Sequence, residues 1–170
     1  MPKFIKFEDG KAAWADDAFV WAPDEEPIPA QGGVILSLQR FQAEGEGLLA
    51  AGRPVGVRIK SDEQVEALAD ILPQLALVAL EFPKFRDGRA YSSAVLLRER
   101  YGYTGQVRAV GEVLREQFNY MIRCGFDAFE PSEGAGPEDF DRAAHLFRHV
   151  YQAAADDRAP AFIERAHGQT

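Results

Sequence analysis

Five short apolar segments, separated by stretches of helical periodicity, constrain this chain more than anything else in it. GVILSL (33–38), PVGVRI (54–59), LALVALEF (75–82), QVRAV (106–110) and FDAFE (126–130) are each of strand length. Strands alternating with helices imply βαβ units, and therefore a parallel sheet with right-handed crossovers. LALVALEF is almost continuously apolar, as a strand covered on both faces must be. Two strand orders satisfy this pattern. A sequential order gives a partial TIM-barrel-like sheet, and a reversed order gives a flavodoxin-like doubly wound sheet. Charged residues within or at the ends of the middle strands favour the partial barrel, whose interior and rim can use them. Five strands cannot close a barrel, so exposed edges call for cover by an N-terminal hairpin or by a second copy of the chain in a homodimer.

The intervening stretches read as helices. Residues 39–51 are helix-like but weakened by Gly45 and Gly47. Ser61 and Gln64 form a capping-box pattern ahead of Val65, Leu68, Ala69 and Leu72. The helix over 91–101 stops at Gly102, and the one over 112–123 stops at Gly125. Pro137 opens a last helix striped by Phe140, Ala143, Ala144, Phe147, Val150 and Tyr151. Before the first strand, KFIKF, an Asp9–Gly10 turn and FVW (19–21) suggest a hairpin packed on the body by Trp14 and Trp21, then a Pro- and acid-rich linker. The chain thus divides into an N-terminal hairpin and linker over 1–33, one α/β domain over 34–155 and a charged tail over 156–170.

Charge and cysteine content narrow the function classes. The net charge is -8, with no basic run to offset 27 acidic residues, which argues against nucleic acid as a partner. An acidic surface suits docking on a basic protein. No apolar run is long enough for a signal peptide or a membrane span, so the expected compartment is the cytoplasm. A single cysteine, Cys124, rules out an internal disulfide and any all-cysteine iron–sulfur or zinc site within one chain. Cys124 follows a helix and precedes a strand, which reads as a small core residue at the far end of the sheet from any site. His145 and His149 have i, i+4 spacing but no evident third ligand, so no metal site is expected.

Ligands of parallel sheets bind at the carboxyl ends of the strands. That rule collects Arg58, Lys60 and Ser61 after one strand, then Glu81, Lys84, Arg86, Asp87, Arg89, Tyr91 and Ser92 after the next. Arg108, Asp127 and Glu130 follow from the last two. The candidate ligand-binding set is Arg58, Arg86, Asp87, Arg89, Tyr91, Ser92, Arg108 and Asp127. Guanidinium groups and a helix start suit a small oxyanion, a phosphate or a partner's carboxylate. The structural alternative has Asp87 capping the helix and the arginines fixing the loop in salt bridges. Arg108, inside an apolar strand, requires a partner, with Glu81 or Asp127 the nearest candidates. No nucleotide, iron–sulfur or zinc motif is present, no catalytic residue is evident, and a flavin held at the rim by shape alone stays open.

Four segments carry a family resemblance: FRDGRAYS (85–92), LRERYG (97–102), GQVRAVG (105–111) and RCGFDAF (123–129). Together they resemble the bacterial domain of unknown function numbered 934, over roughly residues 34–150. The resemblance implies an association with assimilatory sulfite reduction, where members are described as probable oxidoreductases, and it brings no established catalytic residues. On that basis the expected role is an accessory protein that binds sulfite reductase or its electron donor. The alternative is a small-oxyanion-binding enzyme or oxidoreductase that uses the arginine-lined rim.

Overall fold

Asp9 (φ 51°) and Gly10 (φ 77°) both take left-handed conformations, the geometry that joins two strands without splaying them. In the computed structural model, which describes residues 3–84, 86–131 and 134–145, this turn joins β1 (Lys3–Glu8) to β2 (Lys11–Asp16) in an antiparallel hairpin. β3 (Phe19–Trp21) follows after only Asp17 and Ala18, yet it does not extend the hairpin. It pairs in parallel with β4 (Gly33–Ser37). Gly33 permits this, because a Cβ there would lie 2.7 Å from the Phe19 ring. FVW therefore belongs to the parallel sheet and not to the hairpin where its sequence position suggested it.

β4, β5 (Val55–Ile59), β6 (Leu77–Phe82), β7 (Gln106–Gly111) and β8 (Ala128–Phe129) continue in parallel and in sequence order. β1 pairs antiparallel with β8, giving one eight-stranded sheet ordered β2-β1-β8-β7-β6-β5-β4-β3. The hairpin is thus part of the main sheet. Laid flat, eight strands would place β2 and β3 about 34 Å apart at ~4.8 Å per strand. The three steps from Asp16 to Phe19 span at most about 11 Å. The sheet must therefore curl, and it forms a half barrel whose two edge strands meet end to end at Asp17–Ala18.

Strand alternation then assigns the two faces. The outer face carries Val57, Val78, Leu80, Val107 and Phe129, within the large core formed with the helices. These are α1 (residues 38–50), α2 (residues 89–100), α3 (Phe118–Arg123) and α4 (Pro137–Ala144). The middle turns of α1 and the end of α2 are wound as π-helix, Phe41–Gly45 and Leu96–Arg100. The concave face holds only a small apolar cluster, Ile35, Leu77, Ala79 and Val110 with Phe19. Arg58, Glu81, Gln106 and Arg108 share this face, as do the Phe4 and Trp21 rings that lie against the two arginines.

Arg108 occupies the centre of that concave face and is completely buried. Its Nη1 and Nη2 donate to Asp17 Oδ2 (2.5 Å) and Oδ1 (3.1 Å), and Gln106 Oε1 accepts at 2.9 Å. Glu130 adds a longer contact at 3.2 Å, and the guanidinium lies 4.4 Å from the Phe4 ring centroid. Arg108 pairs with neither Glu81 nor Asp127. Its buried partner comes from the β2–β3 link, 91 residues away in sequence.

Other local expectations also change. The stretch after Ser61 forms two 3₁₀ turns, Val65–Leu68 and Leu72–Gln74, where Pro73 prevents a continuous α-helix. α3 is preceded by the 3₁₀ turn Arg115–Gln117, so the helix expected over 112–123 is regular only in its second half. Trp14 and Trp21 are 48% and 38% exposed and do not anchor the hairpin to the body. Among the described residues no helix is long and apolar enough to cross a membrane. Phe147, His149, Val150, Tyr151 and the expected tail over 156–170 lie outside the described residues.

Removing one member of a buried ion pair costs roughly 3–5 kcal/mol, because the other charge is stranded. Asp17→Asn is therefore expected to lower unfolding stability by about that amount in a denaturant titration. The double change Asp17→Leu with Arg108→Met should recover much of the loss, since an apolar pair leaves no orphan charge.

Candidate functional site

At the carboxyl ends of β3–β6 the concave face opens into a cavity of about 480 Å³. Trp21, Ser37, Arg58, Lys60 and Glu81 line it, with the Asp24–Glu26 loop forming its lip. Arg58 and Glu81 are inward positions of adjacent strands, and Arg58 Nε donates to Glu81 Oε2 at 3.1 Å. The Arg58 guanidinium also sits 5.0 Å from the Trp21 ring centroid. Both contacts fix the guanidinium plane, and both members of the ion pair remain about a quarter exposed.

The lip is held by its own bonds. Ser37 Oγ donates to Asp24 Oδ1 at 2.5 Å and accepts from the Arg40 N–H at 3.0 Å, capping α1. The buried Arg40 side chain donates to the Pro23 and Ala22 carbonyls and pairs with Glu44. Residues 22–24 therefore ride on the start of α1. None of Trp21, Asp24, Ser37 or Arg40 was in the sequence-derived set. The available signal was Ser37, a hydroxyl at the carboxyl end of an otherwise apolar strand; the segment before it looked like a linker.

Arg86, Asp87 and Arg89 line a second, shallower depression of about 590 Å³ with Pro83, Lys84 and Gly88. Arg89 donates to both Asp87 carboxylate oxygens, at 3.0 and 2.6 Å, and to Ser61 Oγ at 3.0 Å. The Arg89 guanidinium holds the Asp87 carboxyl well below the usual carboxylate range. Asp87 also accepts the Arg89 N–H, which secures the start of α2. Arg86 is exposed and has no ion-pair partner among the described residues.

The other predicted residues lie elsewhere. Tyr91 faces the helical side and packs against Phe82, Tyr120 and Phe126 at centroid distances of 5.1, 4.8 and 6.5 Å. Burial pushes its phenol up to about 12. Ser92 is exposed on α2. Arg108 is consumed by Asp17. Asp127 sits at the amino-terminal end of β8, where it accepts the Val107 N–H at 2.9 Å and Arg98 at 3.0 Å. Burial raises its carboxyl, with Arg98 opposing the shift. Of the eight predicted residues, Arg58 alone enters the inner cavity, and Arg86, Asp87 and Arg89 form the neighbouring depression.

Arg98 accounts for much of the conspicuous sequence around it. Its guanidinium donates to the carbonyls of Tyr103 (2.6 Å), Gly105 (2.8 Å) and Gly125 (2.9 Å) as well as to Asp127. One side chain thus ties the end of α2 to the starts of β7 and β8, at the opposite end of the sheet from the cavity. Cys124 is buried at the end of α3. Among the described residues no three His, Cys, Asp or Glu side chains cluster as a metal site would need.

Residues 56–162 match the family model described as a bacterial protein of unknown function, DUF934. The match contains all four segments that carried the resemblance. No curated protein matches the chain.

Arg98→Ala removes three bonds to backbone carbonyls and one ion pair, all partly exposed. The expected loss is roughly 2–4 kcal/mol of unfolding stability. A structure of the variant should show the distant Arg58–Glu81 pair unchanged.

Proposed function

We propose a function from one premise: the chain belongs to the bacterial protein family of unknown function DUF934. It serves assimilatory sulfite reduction in the cytoplasm as an accessory protein, binding the reductase or its electron donor. The resemblance supplies the pathway. The observation that carries the binding role is the seam where β2 meets β3. Each of these strands has hydrogen-bonded neighbours on one side only. Trp14 and Val20, on the two sides of the seam, are each 48% exposed. An unpaired edge bearing large apolar side chains is a ready docking surface, and the net charge of -8 favours a basic partner and faster encounter at low salt.

Purified chain and purified sulfite reductase should co-elute at low ionic strength and separate as salt rises. The double change Trp14→Ala with Val20→Ser should abolish co-elution while leaving the melting transition in place. Absence of co-elution with both the reductase and its donor at every ionic strength would sink this reading. Self-association through the seam would instead point to a homodimer.

A second reading is a small-oxyanion site at the rim, favoured by the cationic depression of Lys84, Arg86 and Arg89. It predicts that sulfite, sulfate or phosphate raises the melting temperature by mass action, and that Arg86→Ala with Arg89→Ala removes the effect. No shift with any of the three anions counts decisively against it.

A further inference from the structure

We infer that the cavity at the carboxyl ends of β3–β6 is a binding site for a small zwitterion of the amino-acid class, carrying a carboxylate and an ammonium group. The inference stands apart from partner docking at the seam, because it concerns a different surface. It rests on opposite charges that the fold holds apart.

One wall, from β5, presents two cations. Arg58 uses only Nε on Glu81, and among the described residues neither of its terminal nitrogens has a hydrogen-bond partner. Glu81 and the Trp21 ring fix the guanidinium plane, so its outer edge is set in advance for two parallel bonds to a carboxylate. Lys60 adds an ammonium that makes no ion pair among the described residues.

The facing wall is the β3–β4 loop. Asp24 is held by Ser37, but the Glu25 and Glu26 carboxylates have no side-chain partner among the described residues. Free carboxylates and a free guanidinium edge line one cavity of about 480 Å³ without forming an ion pair across it. In solvent such groups would gain by closing on one another. Here the strands fix one set, and Ser37 with Arg40 holds residues 22–24, the stem from which Glu25 and Glu26 project. A ligand with an anionic end for Arg58 and Lys60 and a cationic end for Glu25 and Glu26 satisfies both walls at once. Trp21 supplies the apolar side wall for its carbon frame. The volume is ample for one amino acid with several waters. A plain oxyanion would satisfy the cationic wall and be repelled by the lip.

Isothermal titration calorimetry of the full chain against each of the twenty common L-amino acids tests this. At least one is expected to bind with a submillimolar Kd. Its N-acetyl derivative, which lacks the ammonium, and its amide, which lacks the carboxylate, should each bind at least about tenfold more weakly. Arg58→Gln should erase the preference for the acid over the amide while keeping the preference for a free ammonium. Should that variant fail to fold, the exposed-lip change Glu25→Gln with Glu26→Gln should erase the preference for the free ammonium over the N-acetyl form. The inference is overturned if no amino acid binds the wild-type chain at 10 mM, a concentration about tenfold above a millimolar Kd. It is equally overturned if the blocked derivatives bind as well as their parent.

Discussion

The bond between Arg108 and Asp17 is the constraint on which the rest of this structure depends. A guanidinium with no solvent contact is tolerable only if its charge and donors are met, and Arg108 is met by Asp17, Gln106 and Glu130. Asp17 lies in the two-residue link between the edge strands of the sheet. Satisfying Arg108 therefore draws that link across the concave face and keeps the sheet curled. Without the curl, β3 could not reach β4. Trp21 and the acidic loop after it would then have no place over the cavity.

The two faces of the sheet do different work. The outer face buries most of the apolar side chains against the helices, and the aromatic cluster of Phe118, Phe129 and Phe140 anchors α3 and α4 there. The concave face has little apolar surface to bury and is organised by ion pairs: Arg108 with Asp17 in the middle and Arg58 with Glu81 at the mouth. The two ends of the strands are also distinct. Arg98 and Asp127 close the amino-terminal end with bonds to backbone. The carboxyl-terminal end is left open, with charges that are only partly matched.

The same separation explains which parts of the site could be read in advance. Arg58 was found because a charge at the carboxyl end of an apolar strand points to the rim, whichever strand order applies. Arg86, Asp87 and Arg89 were found in the same way, and the bonds between Asp87 and Arg89 are local in sequence. Asp127 and Tyr91 are also near strand ends, but Asp127 starts its strand and Tyr91 turns to the helical side. Trp21, Asp24 and Ser37 were missed because FVW looked like half of a hairpin and PDEEPIP looked like a linker. Two of the segments that carry the resemblance, LRERYG and RCGFDAF, contribute Arg98, Gly125 and Asp127 to the Arg98 clamp, a backbone-holding device.

The sequence by itself determined the parallel α/β character, the positions of the middle strands, the Asp9–Gly10 turn and the start of the last helix at Pro137. Each follows from local rules: apolar runs of strand length, left-handed turn residues and the restricted φ of proline. Only the tertiary structure decided that β3 leaves the hairpin for β4, that Arg108 takes Asp17, and that an acidic loop faces Arg58 across a cavity. These are contacts between residues far apart in the chain. They exist because the sheet curls, and curvature is a property of the whole set of strands, with no signature in any one segment.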